Sequence, residues 1–348
     1  MQLSDYTIKL LEDIERRIDP ETEEDYKDQW KNFWYGNCDT EIFVPERKKI
    51  SSAGIEVKDI HINDAINDFE LMLCSELASV SRRLNSTTDT LGIRANYGTG
   101  IMTSLFGAEL FEMPRSTNTL PTTKSWNDSD KIRETLDKGI PDLYNGLGKK
   151  VLYFGEMCNE IFEKYPKIKK YVDVYHPDTQ GPLDIAELLW GCEMFYEMYD
   201  DPDFVHSVLR LITDTYKAFL DKWYTIIPKN KELSTHWTLM HRGNILIRLD
   251  SAMNISTEFY NEFSKPYDSE LFKYFGGGCI HFCGRGDHYI DSLCETEDLY
   301  GINMSQPELN DMGKILGTLE KFDKKIFALP NAQKYVKEIN VKRGIING

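Results

Sequence analysis

Apolar residues in the first ninety positions recur at helical spacing. Leu10, Leu11, Ile14 and Ile18 fall on one face. A second stripe at three- and four-residue intervals comprises Ile66, Phe69, Leu73, Leu77 and Val80. Because such spacing places side chains on one side of an α-helix, residues 1–88 predict an N-terminal helical cap. No flexible linker follows this segment, so we do not expect it to be a separate domain.

Short apolar or β-branched runs begin near residue 90, each closed by polar or turn residues. The clearest are LGIRANYG, YVDVYHPDT, GNILIRLDS, GCIHFCG, LYGINMSQ and KIFALPNA. Strands that alternate with helices favour parallel βαβ units and an α/β fold class. The glycine-rich motifs of Rossmann and P-loop nucleotide sites are missing. Residues 89–348 therefore predict a TIM (β/α)8-type barrel with an N-terminal helical extension.

The sequence also predicts the bounds of two helices. Seven apolar or aromatic positions at helical intervals predict one helix over 185–199. Asp201 and Pro202 then have the residue types of an N-cap and a first helical position, which predicts a new helix with apolar residues from Val205 to Trp223.

The final VKRGIING predicts the start of a strand, whereas a complete barrel would continue through a last helix, so the C-terminal end is short for this fold.

Composition narrows the classes of partner. The chain has 57 acidic against 41 basic residues and a formal charge of −16, which repels nucleic-acid phosphates and anionic lipid surfaces. The N-terminus does not resemble a signal peptide, and no apolar run approaches the roughly 18–20 residues of a membrane helix. Seven scattered cysteines without a CxxC pair predict reduced thiols and a cytoplasmic protein.

His281 and Cys283 are the sharpest candidates for chemistry. Positions two apart on a strand point to the same face, and imidazole with thiolate suits zinc. Zinc with an open coordination position can bind a substrate thiol and hold it as a thiolate. Glu156 is a further candidate ligand. The alternatives are that His281 only forms a hydrogen bond inside a barrel mouth and that Glu156 is a helix-surface acid.

Other polar residues follow predicted strands, where barrel active sites form. Asp178, His241 and Asp250 are candidate catalytic groups, with His241 or Asp250 transferring protons. Asp178 could equally be a turn residue, and Asp184 is expected to complement a helix dipole. The candidate substrate-binding residues are Arg94, Asn96, Tyr97, Gln180, Arg285 and Gln306.

From about residue 90 onward the chain resembles the uroporphyrinogen decarboxylase superfamily. The resemblance rests on Gly181-Pro182-Leu183 opening a helix, on DPDFVHSVLRLITDTYKAFLDKW, and on HFCG followed by LYGINMSQ. This superfamily contains porphyrinogen decarboxylases and zinc-dependent methyltransferases that methylate thiols. The resemblance implies a barrel, a zinc ion held by His281 and Cys283, and a corrinoid. The D-x-H-x-x-G corrinoid motif is absent here, so the corrinoid is expected on a separate protein.

The chain departs from both branches of that superfamily. The methyltransferases add a cysteine much nearer the C-terminus, whereas Cys294 follows Cys283 by only eleven residues. The expected zinc site is therefore incomplete unless Glu156, Asp178 or another group completes it. The decarboxylases use an R-Q-A-G-R element that this sequence lacks.

The leading hypothesis is a methyltransferase-like enzyme in which zinc activates a thiol that accepts a methyl group from a corrinoid donor. Its expected partners are a small-molecule substrate, a corrinoid protein and, in a homodimer, a second copy of the chain. One alternative is a cofactor-independent decarboxylase or lyase, in which Asp178 stabilises positive charge while Arg94 or Arg248 holds carboxylates. Another alternative is a non-catalytic, ligand-binding barrel.

Overall fold

Helices and short strands alternate along the chain in the computed structural model, which describes residues 2–229 and 232–348. The helices are α1 (Asp5–Arg17), α2 (Pro20–Trp34), α3 (Ile62–Ala65), α4 (Phe69–Arg83), α5 (Ile101–Leu105), α6 (Ser129–Lys138), α7 (Gly148–Phe162), α8 (Pro166–Tyr171), α9 (Pro182–Trp190), α10 (Glu193–Asp200), α11 (Pro202–Ile226), α12 (Thr257–Phe263), α13 (Lys265–Phe275), α14 (Ile290–Cys294), α15 (Met312–Lys321) and α16 (Ala332–Glu338). The strands are β1 (Ile42–Phe43), β2 (Gly92–Ile93), β3 (Leu110–Phe111), β4 (Thr122–Thr123), β5 (Asp173–Val174), β6 (Leu233–His236), β7 (Leu239–Arg242), β8 (Ile245–Arg248), β9 (Gly278–Phe282), β10 (Leu299–Met304), β11 (Lys325–Ile326) and β12 (Ile346–Asn347).

The central element is a six-stranded sheet in the order β1-β12-β11-β10-β9-β8. Every neighbouring pair in it is parallel. An isolated parallel bridge between Gln180 and Arg248 joins β8 to the segment after β5, and β5 pairs with β2 in parallel. All six apolar runs identified in the sequence contain a strand of these parallel pairings. The α/β class is therefore confirmed.

The N-terminal region contributes a strand as well as helices. Within the segment expected to be a helical cap, β1 pairs with β12, with Ile42 opposite Ile346. The aromatic face of α2 packs against the sheet in a cluster that includes Trp30, Phe33, Trp34, Leu246, Cys279 and Phe327. Helices α1 and α4 belong to the main core cluster. The N-terminal segment is thus continuous with the fold.

The helix expected over 185–199 is two helices, because the chain breaks after α9. Gly191 has a φ of +96°, a left-handed conformation that favours glycine. A Cβ atom at Gly191 would also lie 2.1 Å from the side-chain oxygen of Asn127. The start of α11 agrees with the prediction, since Asp201 accepts a hydrogen bond from the Phe204 N–H and Pro202 occupies the first turn.

A hairpin between α11 and β8 is the main element that the hydrophobic pattern did not indicate. Strands β6 and β7 are antiparallel and are joined at Trp237, whose φ is +54°. The hairpin is held by the Trp34 indole, which donates to the Met240 carbonyl at 2.8 Å, and by the Thr90 N–H, which donates to the Thr238 carbonyl at 2.9 Å. The segment STHWTLMHR lacks a strict alternation and an Asn-Gly turn, which are the usual hairpin signals.

The structure bears on two expectations from the sequence, one about membrane helices and one about the cysteines. No helix in residues 2–229 or 232–348 combines the length and the apolar character needed to cross a membrane. All seven cysteines are unpaired thiols, and four of them are buried.

A buried ion pair joins the loop after β1 to α2 and to the segment after α4. Arg47 donates from Nε to Glu23 at 2.8 Å, and both side chains are almost fully buried. The remaining guanidinium hydrogens reach the carbonyls of Arg83, Ser86 and Asp89 at 2.7–3.0 Å. This single side chain therefore satisfies the backbone of a turn as well as a buried carboxylate.

We predict that Arg47→Ala lowers the free energy of unfolding by about 3–5 kcal/mol, because it leaves the Glu23 carboxylate buried without a partner. Urea denaturation at neutral pH measures this effect. Arg343→Ala, at an exposed arginine, is the control and is expected to change stability by less than about 0.5 kcal/mol. A loss for Arg47→Ala no larger than that of the control would contradict the prediction.

Candidate metal centre and the adjoining arginine–aspartate cluster

Asp250, His281 and Cys283 meet at the carboxyl ends of two neighbouring parallel strands. His281 lies in β9 opposite Arg248 of β8, and Asp250 follows β8 by two residues. His281 Nε2 is 3.4 Å from Cys283 Sγ and 3.8 Å from Asp250 Oδ1. One ligand atom from each of the three residues lies within 4.8 Å of the other two. The predicted pairing of His281 with Cys283 therefore agrees with the structure, and Asp250 joins them.

The donor atoms and their spacing suit a zinc ion. Bonds of about 2.0–2.3 Å in a tetrahedral site place the ligand atoms about 3.3–3.8 Å apart. The two distances to His281 Nε2 lie in this range, and the third pair, Cys283 Sγ and the Asp250 carboxylate, lies within 4.8 Å. One nitrogen, one sulfur and one carboxylate oxygen leave a fourth position for a substrate, as catalytic zinc sites do. The group is recognised by this ligand chemistry and not by a cavity, since none of the three residues lines the cavity of about 350 Å³ along β5.

The orientation of the His281 ring is set by Asn303 of β10. Asn303 Nδ2 donates to the Phe327 carbonyl at 2.7 Å, which turns Oδ1 of the same amide toward His281. His281 Nδ1 then donates to that oxygen at 2.6 Å. The proton therefore resides on Nδ1, and the Nε2 lone pair faces Cys283 and Asp250. Metal-binding histidines in proteins are typically held in this way.

Burial changes the pKa values of both His281 and Cys283. Burial, with a smaller contribution from the positive charge of Arg248, lowers the pKa of His281, so its ring is neutral near pH 7. Burial raises the pKa of the Cys283 thiol, although its hydrogen bond to the Ser305 hydroxyl at 3.4 Å acts in the opposite direction. The thiol is thus protonated near pH 7 unless a cation stabilises the thiolate.

The backbone around Asp250 is held by a buried carboxylate. Asp184, in the first turn of α9, accepts the N–H groups of Asp250 at 2.9 Å and Ser251 at 2.8 Å. Burial and the negative charge of Asp250 raise the pKa of Asp184 to about 8. Asp250 Oδ1 in turn accepts the Cys283 N–H at 2.6 Å. Asp184 was expected to complement a helix dipole, and the structure shows that it also positions Asp250.

Asp178 lies between two arginines beside this group. Arg94 donates to Asp178 at 2.9 Å, and Arg248 forms a two-point contact that includes a 2.6 Å hydrogen bond from its terminal nitrogen. The Asp178 side chain is only 9% exposed. Burial alone would raise the pKa of Asp178, but the charges of Arg248 and Arg94 outweigh it and hold the pKa below its usual value. Two cations share one anion here.

Further polar residues surround Arg94. Glu76 is fully enclosed and accepts the Arg94 N–H at 3.0 Å and the Asn96 amide at 3.1 Å. Burial raises the pKa of Glu76. Gln180 is buried, and its Nε2 has no hydrogen-bond partner among the described residues. Arg94 therefore contacts Asp178 directly, Asn96 is connected to Arg94 through Glu76, and Gln180 follows Asp178 by two residues in the chain. These three residues were expected to bind substrate.

Trp237, at the tip of the β6–β7 hairpin, connects the two clusters. Its indole is 5.2 Å from the His281 ring in an edge-on arrangement, and the Arg248 guanidinium lies 4.7 Å over its ring. Aromatic rings stabilise both kinds of neighbour through their quadrupole. The hairpin thus reaches the candidate centre from within the fold.

The remaining candidates lie away from the three-residue group. Glu156 is exposed on α7, because its neighbours Gly155 and Met157 occupy the buried side of that helix, so Asp250 replaces it as the third candidate ligand. His241 is completely buried in β7, and burial lowers its pKa to about 3, which makes it a poor proton acceptor near pH 7. Asp250 is better exposed for that role.

The other three expected substrate-binding residues have the following positions and contacts. Tyr97 is buried in the main core cluster. Arg285 is exposed and pairs with Asp287 at 2.7 Å. Gln306 accepts the Gly284 N–H at 2.6 Å and so holds the loop that follows Cys283.

Asn303, Trp237 and Glu76 are the residues that sequence analysis did not assign to the site. Asn303 carried one usable signal, because it ends a predicted strand next to the strand of His281. Trp237 and Glu76 carried none, since the hairpin was not predicted and Glu76 falls within the pattern of an ordinary helix.

No model of a known protein family matches the chain, and no curated protein shows significant similarity to it. The likeness to the uroporphyrinogen decarboxylase superfamily therefore stays a prediction from sequence motifs. The function has to be inferred from the residues of the candidate centre itself.

We predict that Asp184→Asn changes how stability depends on pH. The pKa of Asp184 is raised from about 3.9 in an unfolded chain to about 8 in the folded protein. The folded state therefore binds the proton more tightly, and this contribution to stability declines between about pH 4 and pH 8, by at most about 1.4 kcal/mol per pH unit. Asparagine cannot ionise, so the variant should gain stability relative to wild type as pH rises.

Urea denaturation at acidic, neutral and mildly alkaline pH measures this difference. Asp137→Asn, at an exposed position of α6, serves as the control. Stability curves of the wild type and Asp184→Asn that run parallel across the range would contradict the prediction.

Proposed function

We propose that the protein is a methyltransferase-like enzyme in which zinc held by Asp250, His281 and Cys283 activates a thiol. The thiol accepts a methyl group from a corrinoid carried by a separate protein. The observation that carries the proposal is the convergence of three ligand atoms within 4.8 Å around a histidine whose free nitrogen is fixed by Asn303. A neutral imidazole held in this tautomer is ready to bind a metal ion.

We also infer that the strands form a (β/α)8-type barrel. The six-stranded sheet, extended through the Gln180–Arg248 bridge to β5 and then to β2, accounts for eight parallel strands. The candidate centre lies at the carboxyl ends of β8 and β9, the end at which barrel enzymes place their active sites. This placement supports the proposal independently of the ligand set.

Zinc bound at this centre would lower the pKa of an incoming thiol and hold it as a thiolate. The protein itself supplies position and proton transfer. Both described contacts of Asp250 at this centre use Oδ1, which leaves Oδ2 to accept the proton of the substrate thiol. Trp237 and Arg248 form one wall beside His281. Arg94, Arg248 and Gln180 orient the substrate next to Asp178.

Asp250 also bears on the missing late cysteine of the methyltransferase branch. The proposed ligand set replaces that sulfur by a carboxylate oxygen from Asp250, which follows β8, the strand beside that of His281. Zinc accepts carboxylate ligands in catalytic sites, so the substitution keeps the charge of the ligand set unchanged. We therefore propose an atypical member of the superfamily, with oxygen, nitrogen and sulfur ligands.

We predict that purified protein supplied with zinc under anaerobic conditions binds about one zinc per chain, the stoichiometry of a single catalytic site. Asp250→Asn, His281→Ala and Cys283→Ser should each lose most of it, because each removes one of three protein ligands. Elemental mass spectrometry after gel filtration measures the metal. Methyl transfer from methylcobalamin to a panel of small thiols should be lost in the same three variants.

Two matched controls sharpen this test. Cys192→Ser changes an exposed thiol and Glu156→Gln an exposed carboxylate, and both should retain zinc and activity. Asn303→Leu should weaken zinc binding roughly 10- to 100-fold, as expected when the partner of a ligating histidine is removed. Absence of zinc from the wild type, or full zinc and activity in Cys283→Ser, would overturn the proposal.

A second candidate function is supported by the arginine–aspartate cluster. Asp178 with Arg94 and Arg248 is the arrangement expected of a cofactor-independent decarboxylase or lyase, in which arginines hold substrate carboxylates. In that case a substrate carboxylate would take over one of the contacts that Asp178 now makes, and Asp178 would stabilise positive charge that develops in the substrate.

We predict for the leading proposal that coproporphyrin, titrated into the protein and followed by its fluorescence, does not bind. The second candidate predicts instead that it binds and that Arg94→Met and Arg248→Met weaken it about tenfold or more, because each removes charge-assisted hydrogen bonds. Arg82→Met, at an exposed arginine, is the control. Binding without turnover of any substrate would support the non-catalytic, ligand-binding alternative.

A further inference from the structure

A cavity that is lined in part by β5 contains none of the three residues of the candidate metal centre. It has a volume of about 350 Å³ and is lined at one side by Asp173 and Val174, which form β5. The same segment reaches Asp178 five residues later. The lining includes Asp173, the first residue of β5, and Asn244, which precedes β8, so the cavity lies at the amino ends of these strands, whereas the metal centre lies at the carboxyl ends of β8 and β9. It is a separate site, and nothing in the proposed function uses it.

The charge of the cavity is opposite to that of the chain. Four lysines from three parts of the chain line it, namely Lys27 of α2, Lys169 and Lys170 of α8, and Lys229 after α11. Asp173 is the one acidic residue among the described residues that line it. The whole chain carries a formal charge of −16, so a concentration of lysines at one concave surface is a local feature and not an average property.

Three of these lysines have carboxylate partners, and Lys229 pairs with no carboxylate among the described residues. Lys170 is 2.7 Å from Glu24, and Lys169 pairs with Glu163, but neither glutamate lines the cavity. Asp173 accepts a hydrogen bond from the Thr235 hydroxyl at 2.5 Å and is 4.0 Å from the Lys27 ammonium. Among the described residues that line the cavity, four ammonium groups therefore accompany a single carboxylate, that of Asp173.

The walls add an apolar surface to this charge. Phe162, Val172 and Ile227 contribute apolar surface to the lining, and Ser234 and Asn244 contribute polar side chains. The volume is within the range of sites that enclose small organic molecules. The lining contains lysines and no arginine among the described residues. Lysine binds phosphate as a point charge, whereas two-point recognition of a carboxylate favours arginine.

We propose that this cavity binds a small phosphate ester with an apolar group. Its phosphate meets the ammonium groups of Lys27 and Lys229, and its apolar part packs against Phe162, Val172 and Ile227. The ligand contacts the beginning of β5, the strand that leads to Asp178. The cavity therefore gives the protein a second ligand site, at the opposite end of the parallel strands from the metal centre.

Phenyl phosphate is the probe, and isothermal titration calorimetry on the full chain measures its binding. Phenol and inorganic phosphate are titrated separately to test the two halves of the proposed ligand. We expect phenyl phosphate to bind more tightly than either, and its affinity to fall with added salt, because partly exposed ion pairs are screened. Equal affinity for phenol would show that charge plays no part, and equal affinity for inorganic phosphate would exclude the apolar wall.

Lys27→Gln and Lys229→Gln should each weaken phenyl phosphate binding about tenfold, the effect of losing one charge-assisted hydrogen bond. Lys9→Gln, at an exposed lysine of α1 outside the cavity, should bind like the wild type. Thermal melting checks that all variants are folded. No binding to the wild type at concentrations up to about 10 mM, or equal loss in Lys9→Gln, would overturn the proposal. Zinc content is not involved, so this result is independent of the proposed function.

Discussion

The parallel register of β8, β9 and β10 is the constraint on which the candidate centre depends. Arg248 lies opposite His281, and His281 lies opposite Asn303. In a strand a shift of one residue turns every side chain to the other face. Such a shift would separate His281 from Asn303 and from the turn that carries Asp250. Because these strands are almost entirely buried, hydrophobic packing on both faces fixes the register and so assembles the site.

The same packing buries the side chains of two aspartates, and the groups next to each one decide its protonation state. Asp178 is ionised because two arginines face it, and Asp184 tends to hold a proton because its burial and the negative charge of Asp250 outweigh the two backbone N–H groups that it accepts. The two aspartates are six residues apart, yet their pKa values are displaced in opposite directions. Burial without a partner favours the neutral acid, whereas burial beside cations favours the anion. The centre thus combines a permanent ion cluster with a group that titrates near neutral pH.

The N-terminal segment illustrates why short strands are hard to predict from an apolar pattern. Its helices have the expected apolar faces, but the sheet also recruits the two residues of β1 from it, and the aromatic side of α2 covers Leu246 and Cys279 of the central strands. Two-residue strands have too few positions for an alternating pattern. Their pairing depends on long-range contacts, such as the one between Ile42 and Ile346.

The sequence by itself determined the α/β class, six of the strands in parallel pairings, the start of α11 at Asp201 and the pairing of His281 with Cys283, because hydrophobic period, capping chemistry and strand alternation are local properties. Only the tertiary structure decided that Asp250 and not Glu156 completes the group, that Asn303 orients His281, that Gly191 breaks a helix, and that Trp237 enters from an unpredicted hairpin. Each of these depends on which distant segments become neighbours. That is set by the register and packing of the whole sheet, which no local window of sequence contains.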